Sequence, residues 1–409
     1  MSLSKNTDIT LLFTTRIVRL FCYGFLSVVL ALYLAQIGLS EQQIGLLFTL
    51  TLAGDAAISL WLTTSADRFG RRRTLLLGAG LMIAAGIVFI LTQNLLLLMI
   101  AAIIGVISPS GNEIGPFLSV EQASLAQLIP DQRRTQVFAW YNLSGSFATA
   151  AGALAGGWLS QALQNNDFSA LESYRAVLVG YAIGGALLLA LFLGVSAAVE
   201  IRPEHQSAAK RALGLHRSRP VVLRLSAFFA LDAFAGGLIV QSMMAYWFHV
   251  RFGVEAGVIG SIFFGANLLA GISALLAGRL ARQIGLINTM VFTHIPSNIL
   301  LMFVPLMPSL PLAILVLLLR FSISQMDVPT RQSYTMAVVA PDERSAASGV
   351  TAIARSVGAA LSPSLAGLFL GVPTLLSLPF FLAGGLKIVY DLLLYRSFRT
   401  VKPPEEVKS

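Results

Sequence analysis

Apolar stretches of 20 or more residues recur along the whole chain of 409 residues, and this feature constrains the fold most. Each stretch is long enough to cross about 30 Å of hydrocarbon as a helix. Because 56% of the residues are hydrophobic and only 11% are charged, the chain has too little polar surface for a soluble globule. The sequence therefore predicts an all-α, polytopic membrane protein.

We expect twelve transmembrane helices, and what remains between them is too short for a soluble domain of any size. The predicted spans are residues 11–36, 43–65, 73–92, 95–120, 136–161, 174–198, 221–249, 257–279, 286–306, 311–337, 345–369 and 373–395. The fourth and tenth contain prolines and glycines beside charged residues, in SPSGNEIGPF (108–117) and QMDVPTRQ (325–332). Such residues favour a broken helix at these two places.

A short charged turn occurs twice in the sequence. It reads ADRFGRRR at 66–73 and, in a weaker form, GRLARQIG at 278–285. The same offset of 215 residues places Gly38 on Gly253 in the preceding loop. A charged turn repeated half a chain apart, with apolar helices on both sides, predicts a duplicated unit of six helices.

The duplication and the distribution of charge predict the domain organisation. We expect an N-terminal six-helix bundle (1–198), a cytoplasmic linker (199–220), a C-terminal six-helix bundle (221–397) and a cytoplasmic tail (398–409). Nineteen Lys and Arg residues fall in loops and tails on one side, against Arg175 and Arg251 on the other. The positive-inside rule then places both termini in the cytoplasm, so the net charge of +9 reflects topology and not a nucleic-acid partner.

The helix count and the charged turn resemble the major facilitator superfamily, whose signature between helices 2 and 3 reads G-x-L-a-D-r-x-G-r-r/k. The residues that match it are Asp67, Arg68, Gly70, Arg71 and Arg72. Thr63 and Ser65 replace its opening Gly and Leu. The resemblance covers the whole chain and implies twelve transmembrane helices in two six-helix bundles, with transport by alternating access.

The resemblance also implies that the charged turn is a gating latch. In the family, its contacts hold the cytoplasmic gate closed while the protein is open to the outside. Carried over to this chain, the latch consists of Asp67, Arg68 and Arg71, with Glu121 at the cytoplasmic end of the fourth helix as partner. The alternative is that the arginines only anchor the topology by contacting lipid headgroups.

Charged residues inside the apolar spans concentrate in the first, fourth, seventh and tenth helices. A charge at the bilayer centre costs about 2.5–3.5 kcal/mol, so one that persists normally has a partner or a task. The residues concerned are Arg16, Arg19, Glu113, Glu121, Asp232, Arg320, Asp327 and Arg331. The resemblance implies that these four helices line a central cavity.

We expect two carboxylates, Asp232 and Glu113, to serve proton coupling. Neither has a cation within one helical turn in the sequence, and a poorly hydrated carboxylate holds a proton more readily than an exposed one. Asp327 is a further candidate, with the alternative that it only forms an i,i+4 pair with Arg331.

The intramembrane cations have different expected roles. Arg19 and Arg320 suit either an anionic group of a solute or a pair with a coupling carboxylate. Arg355 and Lys387 are expected to be structural. The cavity set is therefore Asp232, Glu113, Asp327, Arg19 and Arg320.

These features predict a proton-coupled secondary active transporter of a small organic solute, with export by antiport. The Gly-rich stretch 145–159 partly resembles the family's antiporter signature but lacks its proline, so helix packing is the preferred interpretation and a drug/proton antiporter-like protein gains only slight support. Three alternatives stay open. They are uptake or exchange of an organic anion through Arg19 and Arg320, export of a divalent metal through Glu113, Asp232 and Asp327, and a membrane receptor or scaffold without transport.

The expected partners are the solute, protons and the lipid bilayer of the inner (plasma) membrane, and the chain is expected to be a monomer that binds no nucleic acid. No enzyme activity is expected, because no nucleophile–base pair and no HExxH spacing is present. The P-loop is missing as well, and we expect no cofactor and no bound metal.

Overall fold

The structure is a computed structural model that describes residues 2–196, 199–200 and 215–401. The side chains at 2–5, 63–68, 131–132, 134–135, 341 and 345 lie outside this description. Over the described backbone the chain forms helices and turns without any strand. The prediction of an all-α fold is confirmed.

Seventeen α-helices follow one another along the described chain. They are α1 (Ser2–Ser27), α2 (Leu30–Gln36), α3 (Glu41–Phe69), α4 (Arg71–Leu91), α5 (Leu95–Ile104), α6 (Phe117–Leu128), α7 (Asp131–Gln164), α8 (Ala170–Leu193), α9 (Arg219–Gly237), α10 (Gln241–Phe252), α11 (Ala256–Ile284), α12 (Leu286–Phe303), α13 (Leu310–Phe321), α14 (Asp327–Val338), α15 (Arg344–Leu361), α16 (Pro363–Leu370) and α17 (Leu378–Phe398).

These helices make up the twelve predicted spans, because five spans consist of two consecutive helices. The divided spans are α1–α2, α5–α6, α9–α10, α13–α14 and α15–α16. Within the described residues, nine helical segments are long and apolar enough to cross a membrane, and α5 and α13 are shorter apolar helices. The chain is therefore a multi-pass membrane protein.

The fourth and tenth spans are broken where the sequence places proline and glycine. Residues 105–116 run as irregular chain between α5 and α6, and residues 322–326 separate α13 from α14. Proline removes a backbone donor and glycine tolerates unusual dihedral angles, so the local sequence accounts for both breaks. The first, seventh and eleventh spans are also divided, and no break was predicted there.

The beginning of α10 contacts the break in the first span and the irregular segment of the fourth. The Ser242 hydroxyl donates to the Ser27 carbonyl at 2.6 Å, and Gln241 Nε2 donates to the Ser27 hydroxyl at 2.8 Å. The Ser242 N–H donates to the Pro109 carbonyl at 2.9 Å. Backbone groups that leave a helix inside a membrane need such partners, since lipid offers none.

Packing divides the chain into two compact units. Unit 1 consists of Met1–Lys210 and Gln241–Phe264, and unit 2 consists of Arg211–Val240 and Gly265–Ser409. Helix α10 and the beginning of α11 thus pack with unit 1. The bundle boundaries at 198 and 221 stay a prediction from the repeat.

Equivalent glycines support the predicted duplication. Gly38 and Gly253 have φ angles of +92° and +66°, and Gly70 and Gly285 have +103° and +87°. Side chains rarely tolerate this left-handed region, so glycine is favoured at all four places. Gly70 directly precedes α4 and Gly285 directly precedes α12. The two charged turns therefore share a backbone geometry as well as a sequence pattern.

The glycines of the fifth span allow α7 to lie directly against α1. A Cβ atom placed on Gly152 would overlap the Phe21 carbonyl oxygen, and one on Gly156 would overlap the Phe25 carbonyl oxygen. Small residues at helix contacts of this kind let backbones approach closely in a membrane. The stretch that partly resembled an antiporter signature serves helix packing.

We expect Gly152→Ala to destabilise unit 1, because the added methyl group has to push α7 away from the α1 backbone. The cost should reach about 1–3 kcal/mol, the range for an overpacked site. Thermal unfolding of the purified protein measures it. Gly80→Ala is the matched control, because an added Cβ there meets no atom within 4 Å. Equal unfolding midpoints for the two variants would contradict the prediction.

Candidate functional site

Four charged side chains form a closed ion-pair cluster in unit 1, here called the α1 cluster. Its members are Arg16, Arg19, Glu113 and Glu121. The Glu113 carboxylate accepts hydrogen bonds from Arg16 Nη1 at 2.9 Å and from Arg19 Nε at 2.7 Å. Glu121 receives both Nη groups of Arg19, at 2.8 and 2.7 Å. Two cations and two carboxylates make the cluster electrically neutral.

Further contacts complete the surroundings of Glu121 and Arg19, whose side chains have no exposed surface. The Thr15 hydroxyl donates to Glu121 at 2.9 Å, and so does the Tyr141 hydroxyl. The Arg19 guanidinium lies over the Phe117 ring, 4.6 Å from its centroid. All three nitrogens of that guanidinium bind carboxylates, so the charge of Arg19 is already matched by two carboxylates and Arg19 suits an anionic solute poorly.

The irregular segment 105–116 holds Glu113 in place against α1. The Gly115 N–H donates to the Asp55 carboxylate of α3, which also accepts from the Ser59 hydroxyl at 3.1 Å. Gly115 has a φ of +79°, which suits glycine. Asp55 therefore braces the break in the fourth span.

A second charge cluster lies in unit 2 and is here called the Asp232 cluster. Its members are Asp232, His294, Asp327, Arg331, Arg355, Lys387 and Asp391. Lys387 Nζ lies 2.5 Å from Asp232 Oδ1, and Arg331 and Arg355 each lie 3.1 Å from Oδ2. Asp232 on α9 thus binds cations from α14, α15 and α17.

The predicted i,i+4 pair is present within this cluster. Arg331 Nη1 lies 2.9 Å from Asp327 Oδ2, while the same nitrogen also contacts Asp232. The geometry fits the alternative in which Asp327 serves to neutralise Arg331. Because Arg331 also contacts Asp232, the Asp327–Arg331 pair is connected to the Asp232 carboxylate.

Five members of the Asp232 cluster lie outside the predicted cavity set, and one of them, Arg331, was expected only as the partner of Asp327. Arg355 and Lys387 were expected to be structural, and His294 and Asp391 were not proposed for any role. His294 Nδ1 lies 2.9 Å from Asp391 Oδ1, and its Nε2 lies 3.9 Å from Asp232 Oδ1. One signal was available in the sequence, because Lys387 and Asp391 lie four residues apart in an otherwise apolar span.

Arg320 differs from the other buried arginines of unit 2. Its side chain is buried and lies over the Phe321 ring, 4.7 Å from the centroid. Over the described part of the chain it makes no ion pair within 4.0 Å, and its Nε has no hydrogen-bond partner. Of the two arginines predicted for an anionic group, Arg320 is the one without a carboxylate partner among the described residues.

The three carboxylates of the divalent-metal alternative all bind cationic side chains. Glu113 contacts two arginines, Asp327 contacts Arg331, and Asp232 contacts Lys387 besides two arginines. In the residues for which side chains are described, no group of three or more His, Cys, Asp or Glu is arranged to hold a metal ion.

Each unit has an ion pair between equivalent helices, and the signs of the two charges are exchanged between the units. Helices α6 (Phe117–Leu128) and α14 (Asp327–Val338) correspond at an offset of 210 residues, so Glu121 is equivalent to Arg331. Glu121 binds Arg19 of α1, whereas Arg331 binds Asp232 of α9. The charge-bearing helix contact is thus duplicated with its signs exchanged.

The predicted latch residues fall into two groups. The side chains of Asp67 and Arg68 lie outside the described residues. Arg71 donates to Gln127 Oε1 at 3.0 Å and to the Val199 carbonyl at 3.1 Å. The Glu200 carboxylate accepts from the Arg71 N–H at 2.8 Å. Among the described contacts, Arg71 and Glu121 bind different partners, because Glu121 faces α1 and is saturated there.

A buried carboxylate also caps the first helix of unit 2. Glu343 has no exposed surface and accepts hydrogen bonds from the backbone N–H groups of His216, Arg217 and Ser218, at 2.8 Å for the last two. These N–H groups belong to the three residues directly before α9, so Glu343 fixes the chain that enters the helix. Burial alone would raise the pKa of Glu343, but the hydrogen bonds outweigh it and lower the pKa to about 2.

We expect Glu343→Gln to lower the thermal unfolding midpoint at neutral pH. Since the pKa of Glu343 is lowered to about 2 in the folded protein, against an ordinary value of about 4.3, the ionised group stabilises the fold above about pH 4. That contribution is lost as the pH falls towards about 2. The difference between wild type and variant should therefore shrink in acid. Asp342→Asn, at an exposed neighbouring position, should change the midpoint little; an equal effect would contradict the assignment.

The class of protein is a polytopic helical membrane transporter. Three features indicate it: the duplicated six-helix sequence, the broken fourth and tenth spans, and the buried charge clusters. A family model described as the Major Facilitator Superfamily matches residues 12–363. The chain therefore belongs to the major facilitator superfamily, which consists of transporters and not of enzymes. The resemblance inferred from the charged turn is confirmed.

Known proteins are similar over nearly the whole chain. An uncharacterized membrane protein of Saccharomyces cerevisiae, YJR124C, is 32% identical over 95% of this chain and 93% of its own length. A bacterial homologue of the human lysosomal transporter Spinster, inward-facing and occupied, has a TM-score of 0.73 at 17% identity over 97% of both chains.

Two other solved structures are comparably similar. A D-xylose–proton symporter has a TM-score of 0.73 at 15% identity over 95% of this chain and 97% of its own. The nucleoside transporter NupG has a TM-score of 0.72 at 13% identity over 96% of this chain and 99% of its own. At these identities the likeness establishes the fold alone.

Proposed function

We propose that the protein is a proton-coupled secondary active transporter that moves a small organic solute by alternating access and exports it by antiport. We place it in the inner (plasma) membrane as a monomer with both termini in the cytoplasm. Family membership supports a small-molecule solute. The excess of Lys and Arg in loops on one side supports the orientation.

The arrangement around Asp232 is the observation that carries the proposal. Cations from α14, α15 and α17 converge on this one buried carboxylate of α9. Charges inside a membrane persist when they are paired. A proton that neutralises Asp232 removes the charge that holds the three cations together. Protonation therefore has a direct physical means of loosening α9 from three helices at once.

Glu113 is the corresponding candidate in unit 1. It bridges Arg16 and Arg19, and 14% of its side chain is exposed, whereas Glu121 in the same cluster is fully buried. A group that exchanges protons needs some access to water, so Glu113 suits the task better than Glu121. The latch is proposed separately at the charged turn, with Asp67, Arg68 and Arg71 as its residues.

Proteoliposomes that contain a pH-sensitive dye test the proposal. We expect at least one compound in a panel of small organic solutes to drive proton movement through the wild type. Asp232→Asn should abolish that movement. Asp167→Asn is the matched control, because Asp167 is exposed in the loop before α8. Proton movement that Asp232→Asn leaves unchanged would refute the coupling role. A wild type that moves no protons with any compound would favour a receptor or scaffold.

Transport of an organic anion is a second candidate, favoured by Arg320. A buried guanidinium that lacks a carboxylate partner attracts an anionic group, and its planar donors suit carboxylate or phosphate. In the same panel, Arg320→Gln should impair transport of anionic compounds selectively. Arg282→Gln, at an exposed position of α11, is the control. An equal loss for neutral and anionic compounds would refute this candidate.

A further inference from the structure

His294 is a buried side chain of α12 that the proposed coupling at Asp232 does not yet use. Its Nδ1 lies 2.9 Å from Asp391 Oδ1, and its Nε2 lies 3.9 Å from Asp232 Oδ1. The second oxygen of Asp391 accepts from Asn298 Nδ2 at 3.3 Å. The imidazole therefore lies between two carboxylates, with one on each ring nitrogen.

Each ring nitrogen of His294 faces a carboxylate that can accept from an N–H group. A neutral imidazole has one N–H group and one lone pair, whereas the imidazolium has two N–H groups. The hydrogen bond to Asp391 requires the hydrogen on Nδ1, which leaves the lone pair of Nε2 facing the Asp232 carboxylate. A second proton replaces that repulsive contact with an attractive one.

The titratable groups of the cluster that surrounds His294 come from four other helices. They are Asp232 of α9, Asp327 and Arg331 of α14, Arg355 of α15, and Lys387, Tyr390 and Asp391 of α17. With a neutral His294, three cations balance three carboxylates in this set. All three cations contact Asp232, so the carboxylate of Asp391 is free to serve the imidazole. The cluster can therefore take up one proton without breaking an existing ion pair.

We infer that His294 and Asp391 form a proton-holding pair that delivers the coupled proton to Asp232, an inference that rests on the proposed proton coupling. For delivery, Nε2 and Asp232 Oδ1, which lie 3.9 Å apart, must approach to hydrogen-bond distance. The Nε2–H bond of the imidazolium then breaks as an O–H bond forms on Asp232 Oδ1. His294 returns to its neutral form and keeps the Nδ1 proton donated to Asp391. Asp232 loses its charge and releases the cations of α14, α15 and α17.

Asn298 is a positioning residue in this arrangement. It lies one turn beyond His294 on α12, and its Nδ2 holds the Asp391 oxygen that does not face the imidazole. The pair belongs to the ninth and twelfth spans, outside the four helices in which the sequence concentrates charge. Helix α17 carries Asp391 of this pair as well as Lys387, which contacts Asp232, so it links proton storage to the α9 contacts that respond to it.

Nitrogen-15 NMR of histidine-labelled protein tests proton holding directly. The chain has four histidines, so replacing His205, His216 and His249 with Gln leaves His294 as the sole labelled side chain. We expect its two nitrogens to change from the neutral to the imidazolium pattern between about pH 9 and about pH 5. Asp391→Asn should weaken proton binding at least about tenfold, which corresponds to one unit of pH. A spectrum that stays neutral throughout, or that Asp391→Asn leaves unchanged, would overturn the inference.

Solute-driven proton movement in proteoliposomes tests delivery. His294→Gln should abolish it, whereas His249→Gln, at an exposed position of α10, should retain it. Proton movement at the wild-type rate in His294→Gln would overturn the delivery step. A wild type without any solute-driven proton movement would refute the proposed function instead. The NMR titration of the wild-type pair would still decide proton holding, because it needs neither a solute nor transport.

Discussion

Replacing Glu121 with Gln is expected to destabilise the protein by about 3–5 kcal/mol, the usual cost of removing one partner from a buried ion pair. Arg19 has no exposed surface and directs both Nη groups at the Glu121 carboxylate. Glutamine keeps the size of the side chain but offers one acceptor and no charge. Chemical unfolding of the purified protein in detergent measures the change.

The double variant Arg19→Met/Glu121→Leu separates the lost charge from the lost packing. It removes both buried charges, and Glu113 keeps its ion pair with Arg16 at 2.9 Å. Apolar replacements of a whole buried pair are often neutral, so this variant should be more stable than Glu121→Gln. A double variant that is less stable than the single one would show that the pair itself supplies the stability.

The second large effect is expected for the double variant Asp232→Asn/Lys387→Met. Asp232→Asn alone leaves three cations facing a neutral side chain and should cost about 3–5 kcal/mol. Removing Lys387 as well takes away one charge of each sign, and Arg331 retains Asp327 at 2.9 Å. We therefore expect the double variant to regain much of the stability and still to move no protons in response to a solute.

That comparison distinguishes a coupling role of Asp232 from a purely structural one. Chemical unfolding measures the stability of the variants, and the dye-loaded proteoliposomes measure their proton movement. Proton movement restored together with stability would mean that Asp232 only holds the helices together. Proton movement lost despite restored stability is the outcome that coupling requires.

Local sequence signals predicted the features that depend on neighbouring residues. Pro and Gly in SPSGNEIGPF predicted a break that the structure shows as the irregular segment 105–116, and the repeated turns predicted that Gly70 and Gly285 are equivalent, which their positive φ angles support. The contact between Asp327 and Arg331 followed from their spacing of four residues on one helix. Each of these signals acts within a few residues, where helix geometry alone determines the outcome.

The partners of Asp232 could not be predicted, because they come from distant parts of the chain. Arg355 and Lys387 lie 123 and 155 residues away from it. In a soluble amphipathic helix the polar face shows which side is buried. In a span that is apolar all round, the sequence does not show which face packs against the neighbouring helices. Glu121 presented the same difficulty: its helix was predicted, but the face that turns it towards Arg19 was not.

The exchanged signs of Arg19–Glu121 and Asp232–Arg331 bear on how a duplicated membrane protein assembles its helices correctly. Two similar halves inserted one after the other risk pairing a helix of one half with the matching helix of the other. Here α1 against α14 would bring Arg19 to Arg331, and α9 against α6 would bring Asp232 to Glu121. Both mismatches put like charges together in lipid, where screening is weak. The sign reversal therefore penalises the exchange of a helix of one half for the matching helix of the other while the chain assembles in the membrane.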